Sequence, residues 1–402
     1  MLKKTLFYQH FPIFLNVCRQ GRHVGCNFSS KISGDGESND IENESEVSKL
    51  LNDAATFDAG IQDWSTLPYP KHASKQLQGS HAVRVGKNPA ETSLVLFPGQ
   101  GTLLVGMVKE YLRFPGAKDL FQVVNESLGY DLLKLCLLGP QEKLNRTEYN
   151  QPATVAVSLA AMEKIREERP QVLETCVGVA GYSVGELTAL IFAGAMSLEQ
   201  GIRLAGIRGT AMQNAAARIP QGMMSVICSS NANISDICKK AQSWALDSGA
   251  NNPLCRIAIY LYPQGKILAG NKEALDFIKL NGRHLGLRNL KNLSVSGAFH
   301  TSLMEPAVKP FIKALHNVPL QTPAVPVYSN VTGKCYGNAQ HISKMLPKQI
   351  VSPVKWEQIM HILYERPPGT PFPRTFDVGS GGTMKTILKL VNAKAWDNCY
   401  IV

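Results

Sequence analysis

The stretch Cys176-Val177-Gly178-Val179-Ala180-Gly181-Tyr182-Ser183-Val184-Gly185 restricts the fold more than any other part of the chain. Its short unbroken apolar run reads as a strand buried on both faces. Ser183 follows between two glycines, and then comes Glu186-Leu187-Thr188-Ala189-Leu190-Ile191-Phe192, a helix capped by Gly194. Strand, cramped turn and helix in that order hold a serine hydroxyl out at the edge of a sheet. The glycines permit the turn, and the N–H of Val184 at the helix start can face an oxyanion. The competing reading of the same pattern is a turn with no chemical role.

The surroundings fit a sheet of this kind. Ser93-Leu94-Val95-Leu96-Phe97, closed by Pro98-Gly99-Gln100-Gly101, reads as a second buried strand entering a tight loop. Pro152 at a first helical turn opens a helix expected over 153–169, which Pro170 stops. Helix and strand alternating in this way argue a parallel sheet covered on both faces. From residue 222 to 296 the rhythm changes to strand (223–228), helix (234–246), strands (256–260 and 266–269), helix (273–280) and strand (290–295). That βαββαβ order is the ferredoxin-like unit. Further buried strands at 325–328 and 376–378 follow it, so the small unit is expected as a self-sufficient insertion. The expected class is α/β: a large α/β-hydrolase-like domain with a parallel sheet (91–220 and 297–402) and an inserted ferredoxin-like domain (221–296).

Charge separates the N-terminal segments from the rest. Residues 1–34 carry Lys3, Lys4, Arg19, Arg22 and Lys31, no acid, and interleaved apolar residues, the composition of a mitochondrial transit peptide. A secretory signal is the rival, but Gln9, His10 and Pro12 interrupt the apolar stretch. Residues 35–63 hold nine acids and the single base Lys49, which reads as a disordered acidic linker within a lead-in over 35–90. The remaining chain has 36 bases against 22 acids. Such a surface attracts an acidic partner or substrate. No basic run with interleaved aromatics points to nucleic acid, and no run approaches a membrane span. The 9 cysteines include no CxxC pair and no zinc-ligand spacing, so neither a disulfide scaffold nor a metal site is indicated.

A serine nucleophile needs a base. Of 9 histidines, His300 in Ser296-Gly297-Ala298-Phe299-His300 lies where the chain leaves the small unit for the large one, and therefore faces an interdomain cleft. On position alone it is as readily an ordinary histidine. Hydrolases of the α/β type place an acid between serine and histidine, but Glu186, Glu199, Asp236, Asp247, Glu273 and Asp276 are not on strand-end loops of the large domain. A Ser-His dyad with a neutral orienting group is the remaining arrangement. Arg208 sits on a helix opened by the capping-box pattern Ser197-Leu198-Glu199-Gln200. Beside an apolar face of Leu204, Ile207 and Ala211 it either snorkels or aims into a pocket, and spacing favours the first. Arg203, five residues away, points elsewhere.

Phe97-Pro98-Gly99-Gln100-Gly101, Gly181-Tyr182-Ser183-Val184-Gly185-Glu186, Ile207-Arg208-Gly209, Gly297-Ala298-Phe299-His300-Thr301-Ser302-Leu303-Met304, Ser352-Pro353-Val354-Lys355-Trp356 and Asp377-Val378-Gly379-Ser380-Gly381 occur in this order. Over roughly residues 93–390 the chain thereby resembles the malonyl-CoA:acyl carrier protein transacylases, and its leader resembles the mitochondrial branch. The resemblance implies Ser183 as acylated nucleophile, His300 as its base, and the N–H groups of Gln100 and Val184 as oxyanion hole. It implies that Gln349 lends a backbone carbonyl to His300, and that Arg208 grips the malonyl carboxylate. Phe299 resembles the malonyl-selective members. Tyr182, Leu103 and Ser352 depart from the residues usual in bacterial members.

The activity implied is ping-pong transfer of malonyl from coenzyme A to the phosphopantetheine thiol of an acidic acyl carrier protein, in the mitochondrial matrix, for fatty acid synthesis. No metal or redox cofactor is implied, because the thioester supplies the driving force. Two other classes share parts of the pattern. A serine hydrolase would release the acyl group to water, and an inactive carrier-binding scaffold would tolerate loss of Ser183 or His300.

Overall fold

The computed structural model describes residues 86–402. The expected leader (1–34) and acidic segment (35–63) lie outside the described residues. Strand β1 (Ser93–Phe97) and strand β2 (Cys176–Gly181) are buried at every position, as unbroken apolar runs in a covered parallel sheet should be. The other strands, in chain order, are β3 (Gln221–Cys228), β4 (Cys255–Tyr260), β5 (Gly265–Asn271), β6 (Leu287–Asn292), β7 (Val327–Tyr328), β8 (Val354–Lys355), β9 (Arg374–Asp377) and β10 (Cys399–Ile401). The longer helices are α1 (Pro115–Leu128), α2 (Thr147–Glu168), α3 (Gly185–Phe192), α4 (Leu198–Ala216), α5 (Ile234–Asp247), α6 (Lys272–Asn281), α7 (Glu305–His316), α8 (Ala339–Gln349), α9 (Trp356–Tyr364) and α10 (Thr383–Val391).

The first sheet has the order β10-β9-β1-β2-β7 and every pairing is parallel. Of the helices between β1 and β2, α2 is the longest. It begins at Thr147, not at residue 153, and Pro152 lies inside it. The first turns are held by tertiary bonds: Asn150 Nδ2 donates to the Leu144 carbonyl at 3.0 Å, and its Oδ1 accepts from the Gly101 N–H at 3.2 Å. Those contacts outweigh the one helical hydrogen bond that proline forfeits.

The second sheet has the order β6-β3-β5-β4-β8. Its first four strands pair antiparallel, and β8 joins parallel to β4, with Ile259 opposite Val354 and Tyr260 opposite Lys355. The unit over 221–296 was expected to close on itself; instead a strand from the returning chain completes its sheet. The physical reason is the β4 edge, whose unpaired backbone groups need a partner. The central strands β3 and β5 are covered on both faces, whereas the edge strand β6 is largely exposed. Met224, Val226 and Leu268 pack with Ile234, Ile237 and Ile278 of α5 and α6 in a core of their own. Met223, Ile267 and Ala269, one position out of phase, join the main core. Lys266 on β5 reaches Glu357 on α9 at 3.0 Å, a fully buried ion pair between the second sheet and the larger part of the molecule. The expected strands at 290–295, 325–328 and 376–378 exist with bounds shifted or shortened by up to three residues, since burial alone does not fix a strand end.

Candidate active site

The site forms beyond the carboxyl ends of β1 and β2, where ligands bind in open parallel sheets. Ser183 joins β2 to α3 and adopts a left-handed backbone, φ 56°. The turn is too tight for side chains on either flank: a Cβ on Gly181 would lie 1.8 Å from the Gly185 carbonyl oxygen, and one on Gly185 would lie 2.4 Å from the Pro98 oxygen. Asn330, just after β7, staples the elbow. Its Oδ1 accepts from the Ser183 N–H at 2.7 Å and its Nδ2 donates to the Gly181 carbonyl at 2.8 Å.

His300 meets the serine. Its Nε2 lies 2.8 Å from Ser183 Oγ, and its Nδ1 lies 2.8 Å from the Gln349 carbonyl oxygen. A carbonyl can only accept, so Nδ1 carries the proton and Nε2 is left free to take one from the hydroxyl. Burial and the neighbouring Arg208 charge push the imidazole down to about 3, against the opposing pull of the Gln349 carbonyl. The ring is therefore neutral, the form a general base requires.

Arg208 lies on α4, whose capping box between Ser197 and Gln200 is present as expected. It points inward and is only 1% exposed, which decides between the two orientations that spacing allowed. Its Nη1 donates to Gln151 Oε1 at 2.6 Å and its Nη2 to Gln349 Oε1 at 2.7 Å; Nη2 also stands 3.4 Å from Ser183 Oγ. Arg203 is exposed, and so is Ile207 at 39%, so the apolar face expected around Arg208 does not include Ile207. Helix α4 leaves that flank to solvent and buries Leu204 and Met212.

Gln100 occupies the loop after β1 and Val184 the position before α3. Neither backbone N–H donates to an acceptor among the described residues, so both are available to an oxyanion. The Gln100 side chain accepts from Gln151 Nε2 at 3.3 Å. Phe299 is 4% exposed and packs in the main hydrophobic core. A serine nucleophile, a neutral histidine base, two free N–H donors and a buried guanidinium can together transfer an acyl group that carries a negative charge.

Comparison with known proteins agrees with this chemistry. The model of the acyl transferase domain family matches residues 94–370. A probable mitochondrial malonyl-CoA-acyl carrier protein transacylase of Drosophila melanogaster is 52% identical over 315 residues, 78% of this chain and 83% of the relative. The chain belongs to the mitochondrial malonyl-CoA:acyl carrier protein transacylase family. Among solved structures, the transacylase of that name from Xanthomonas oryzae pv. oryzae superposes with a TM-score of 0.69 at 28% identity, covering 77% of this chain and 94% of that one. A malonyl-transacylase solved in complex with its type II polyketide synthase acyl-carrier protein gives a TM-score of 0.67 at 27% identity, covering 77% and 94%.

Within this transacylase Tyr182 adjoins the nucleophile Ser183 in the chain. Tyr182 packs edge-on against Trp356 at 5.3 Å, and Leu103 is buried. Sequence reasoning passed over four polar residues. Gln151 and Asn330 are buried, at 1% and 0% exposure, as are Glu186 and Tyr336. Glu186 is not on a strand-end loop, where an acid of a hydrolase triad would sit. It lies on the first turn of α3, with its carboxylate beneath the elbow, accepting from the Asn330 N–H at 3.2 Å, from the Tyr336 hydroxyl and from Gln349 Nε2. Burial pushes its carboxyl up to about 7 against the pull of those hydrogen bonds and of Arg208. The one available sequence signal was a carboxylate within an otherwise apolar helix, which is rarely buried without a partner.

Proposed function

We propose that this transacylase moves malonyl from coenzyme A to the phosphopantetheine thiol of an acyl carrier protein through a malonyl-serine intermediate. The observation that carries the reading is Arg208: a fully buried guanidinium 3.4 Å from Ser183 Oγ. A permanent cation beside the nucleophile, already desolvated, favours an acyl group with a distal carboxylate and disfavours an uncharged one.

His300 Nε2 takes the Ser183 proton as Oγ attacks the thioester carbonyl. The N–H groups of Gln100 and Val184 hold the oxyanion, and Arg208 pairs with the malonyl carboxylate. Coenzyme A leaves as the thiol, protonated by the imidazolium. The carrier thiol then repeats the sequence in reverse on the malonyl ester. Phe299 beside His300 limits space for branched acyl groups. The excess of basic residues outside 1–63 suits an acidic carrier protein and the phosphates of coenzyme A. Among the described residues no helix is long and apolar enough to cross a membrane. The leader composition and the mitochondrial relative support action in the mitochondrial matrix for fatty acid synthesis. We read the smaller sheet as a ferredoxin-like unit extended by β8, and the larger unit as α/β-hydrolase-like.

Intact-mass measurement after mixing with malonyl-CoA tests this. The wild type should gain a malonyl adduct that holo acyl carrier protein discharges; Ser183→Ala should gain none. Arg208→Ala should lose about 100-fold or more in malonyl loading while acetyl loading holds or rises. An adduct lost to water as fast as to the carrier would replace the reading with hydrolysis.

A further inference from the structure

Arg208 and Glu186 are both fully buried, yet neither makes an ion-pair contact among the described residues. The Gln349 side chain lies between them. Its Oε1 accepts from Arg208 Nη2 at 2.7 Å, while its Nε2 donates to Glu186 Oε2 and, at 2.9 Å, to the Ser183 carbonyl. Only one amide orientation turns the oxygen toward the guanidinium and the NH2 toward the carboxylate. The far carboxylate oxygen is fixed in turn by Tyr336 and the Asn330 N–H.

This spacing has a chemical consequence. A carboxylate in direct contact would occupy the arginine fork bidentately and compete with any incoming carboxylate. One amide further away, it still offsets the cost of burying the cation and leaves donors of the fork open. The same residue's main-chain carbonyl holds His300 Nδ1 at 2.8 Å. Gln349 thus joins the base, the nucleophile's backbone and the cation, and Glu186 fixes Gln349.

We propose that Glu186 is a positioning residue for acyl selection: by holding the Gln349 amide it aims the Arg208 fork, and Tyr336 supports it. The inference rests on the malonyl-transfer reading above. In Glu186→Gln, an amide that offers its oxygen to Gln349 must turn its own NH2 toward the Asn330 N–H, so one donor is left facing another. The Gln349 amide then loses its fixed orientation and Arg208 its aim.

The test compares malonyl-CoA with acetyl-CoA as donors for the full chain and its variants. Glu186→Gln should raise KM for malonyl-CoA and lower the malonyl-to-acetyl ratio of kcat/KM by roughly 10-fold or more. Glu186→Asp, which keeps the charge, should recover part of that ratio. Equal losses for both donors, or an unchanged ratio, would overturn the proposal, because a residue needed only for folding does not choose between acyl groups. Should Glu186→Gln fail to fold, Tyr336→Phe decides: a ratio lowered a few-fold supports the proposal and a wild-type ratio overturns it. Wild-type protein that never loads malonyl would overturn the functional reading itself and this inference with it.

Discussion

Ser183 and His300 stand 117 residues apart in the chain, share a left-handed backbone at φ 56° and 62°, and touch at 2.8 Å. Two non-glycine residues in that region each carry a conformational cost of about 1–2 kcal/mol, which persists only where the surroundings over-determine them. Here Asn330 holds the Ser183 backbone and the Gln349 carbonyl holds the His300 ring. His300→Ala should therefore slow formation of the malonyl-serine adduct by about 100- to 10,000-fold, the usual worth of a positioned base. Rapid-quench intact-mass kinetics would measure it. Loading within a few-fold of wild type would remove His300 from the reaction.

The His300 imidazole should stay neutral from pH 5 to 8, since burial and Arg208 push it down to about 3. Ring chemical shifts followed by NMR should show no midpoint near 6.5. The same shift carries a stability sign. Below its unfolded value the unfolded histidine binds a proton that the folded one refuses, so stability from this group is complete above pH 6.5 and falls toward pH 3. Glu186 acts oppositely: its folded carboxyl is raised from 4.5 to about 7, so its contribution is complete below pH 4.5 and is lost as pH rises through 7. Comparing wild type with His300→Ala isolates the first effect. On lowering the pH from 7 to 4 the wild type should lose stability relative to the variant by on the order of a few kcal/mol.

Gly181 and Gly194 separate two uses of glycine. At Gly181 a Cβ meets backbone 1.8 Å away; at Gly194, φ 70°, it meets nothing within 4 Å. Gly181→Ala should cost about 3 kcal/mol or more and abolish loading, whereas Gly194→Ala should cost only about 1 kcal/mol for its left-handed backbone. Urea unfolding of both variants gives the comparison. Equal costs would mean that the elbow can open to admit a methyl group.

The Lys266–Glu357 pair offers a check on the join between the second sheet and the rest. Lys266 Nζ also donates to the Tyr262 and Pro263 carbonyls, at 2.7 and 3.0 Å. Lys266→Met leaves Glu357 buried without its cation and should cost about 3–5 kcal/mol. Adding Glu357→Leu should return a large part of that loss in thermal or denaturant unfolding. A double variant no better than the single would place the loss in the carbonyl contacts.

Some of this molecule was written locally. The buried runs of β1 and β2, the glycines of the elbow, the capping box at Ser197 and the order of elements from β3 to β6 each depend on neighbouring residues, so periodicity and turn chemistry revealed them. Other features depend on partners far along the chain. Helix α2 starts before Pro152 because Asn150 is held at Leu144 and Gly101. Strand β8 joins the second sheet because the β4 edge lies beside it.

The site divides along the same line. The nucleophile's turn was legible in adjacent residues, and position along the chain singled out a histidine at the junction between the two units as a candidate base. The inward Arg208 and the Gln349 carbonyl on His300 follow from the family resemblance and from no local pattern; that the Gln349 side chain also serves Arg208, and that Glu186 lies beneath them, came from the fold alone. A turn needs only the φ and ψ of adjacent residues, whereas a buried charge is placed by groups that the fold brings from distant segments, as Gln151 and Gln349 are brought to Arg208. No local pattern carries that information.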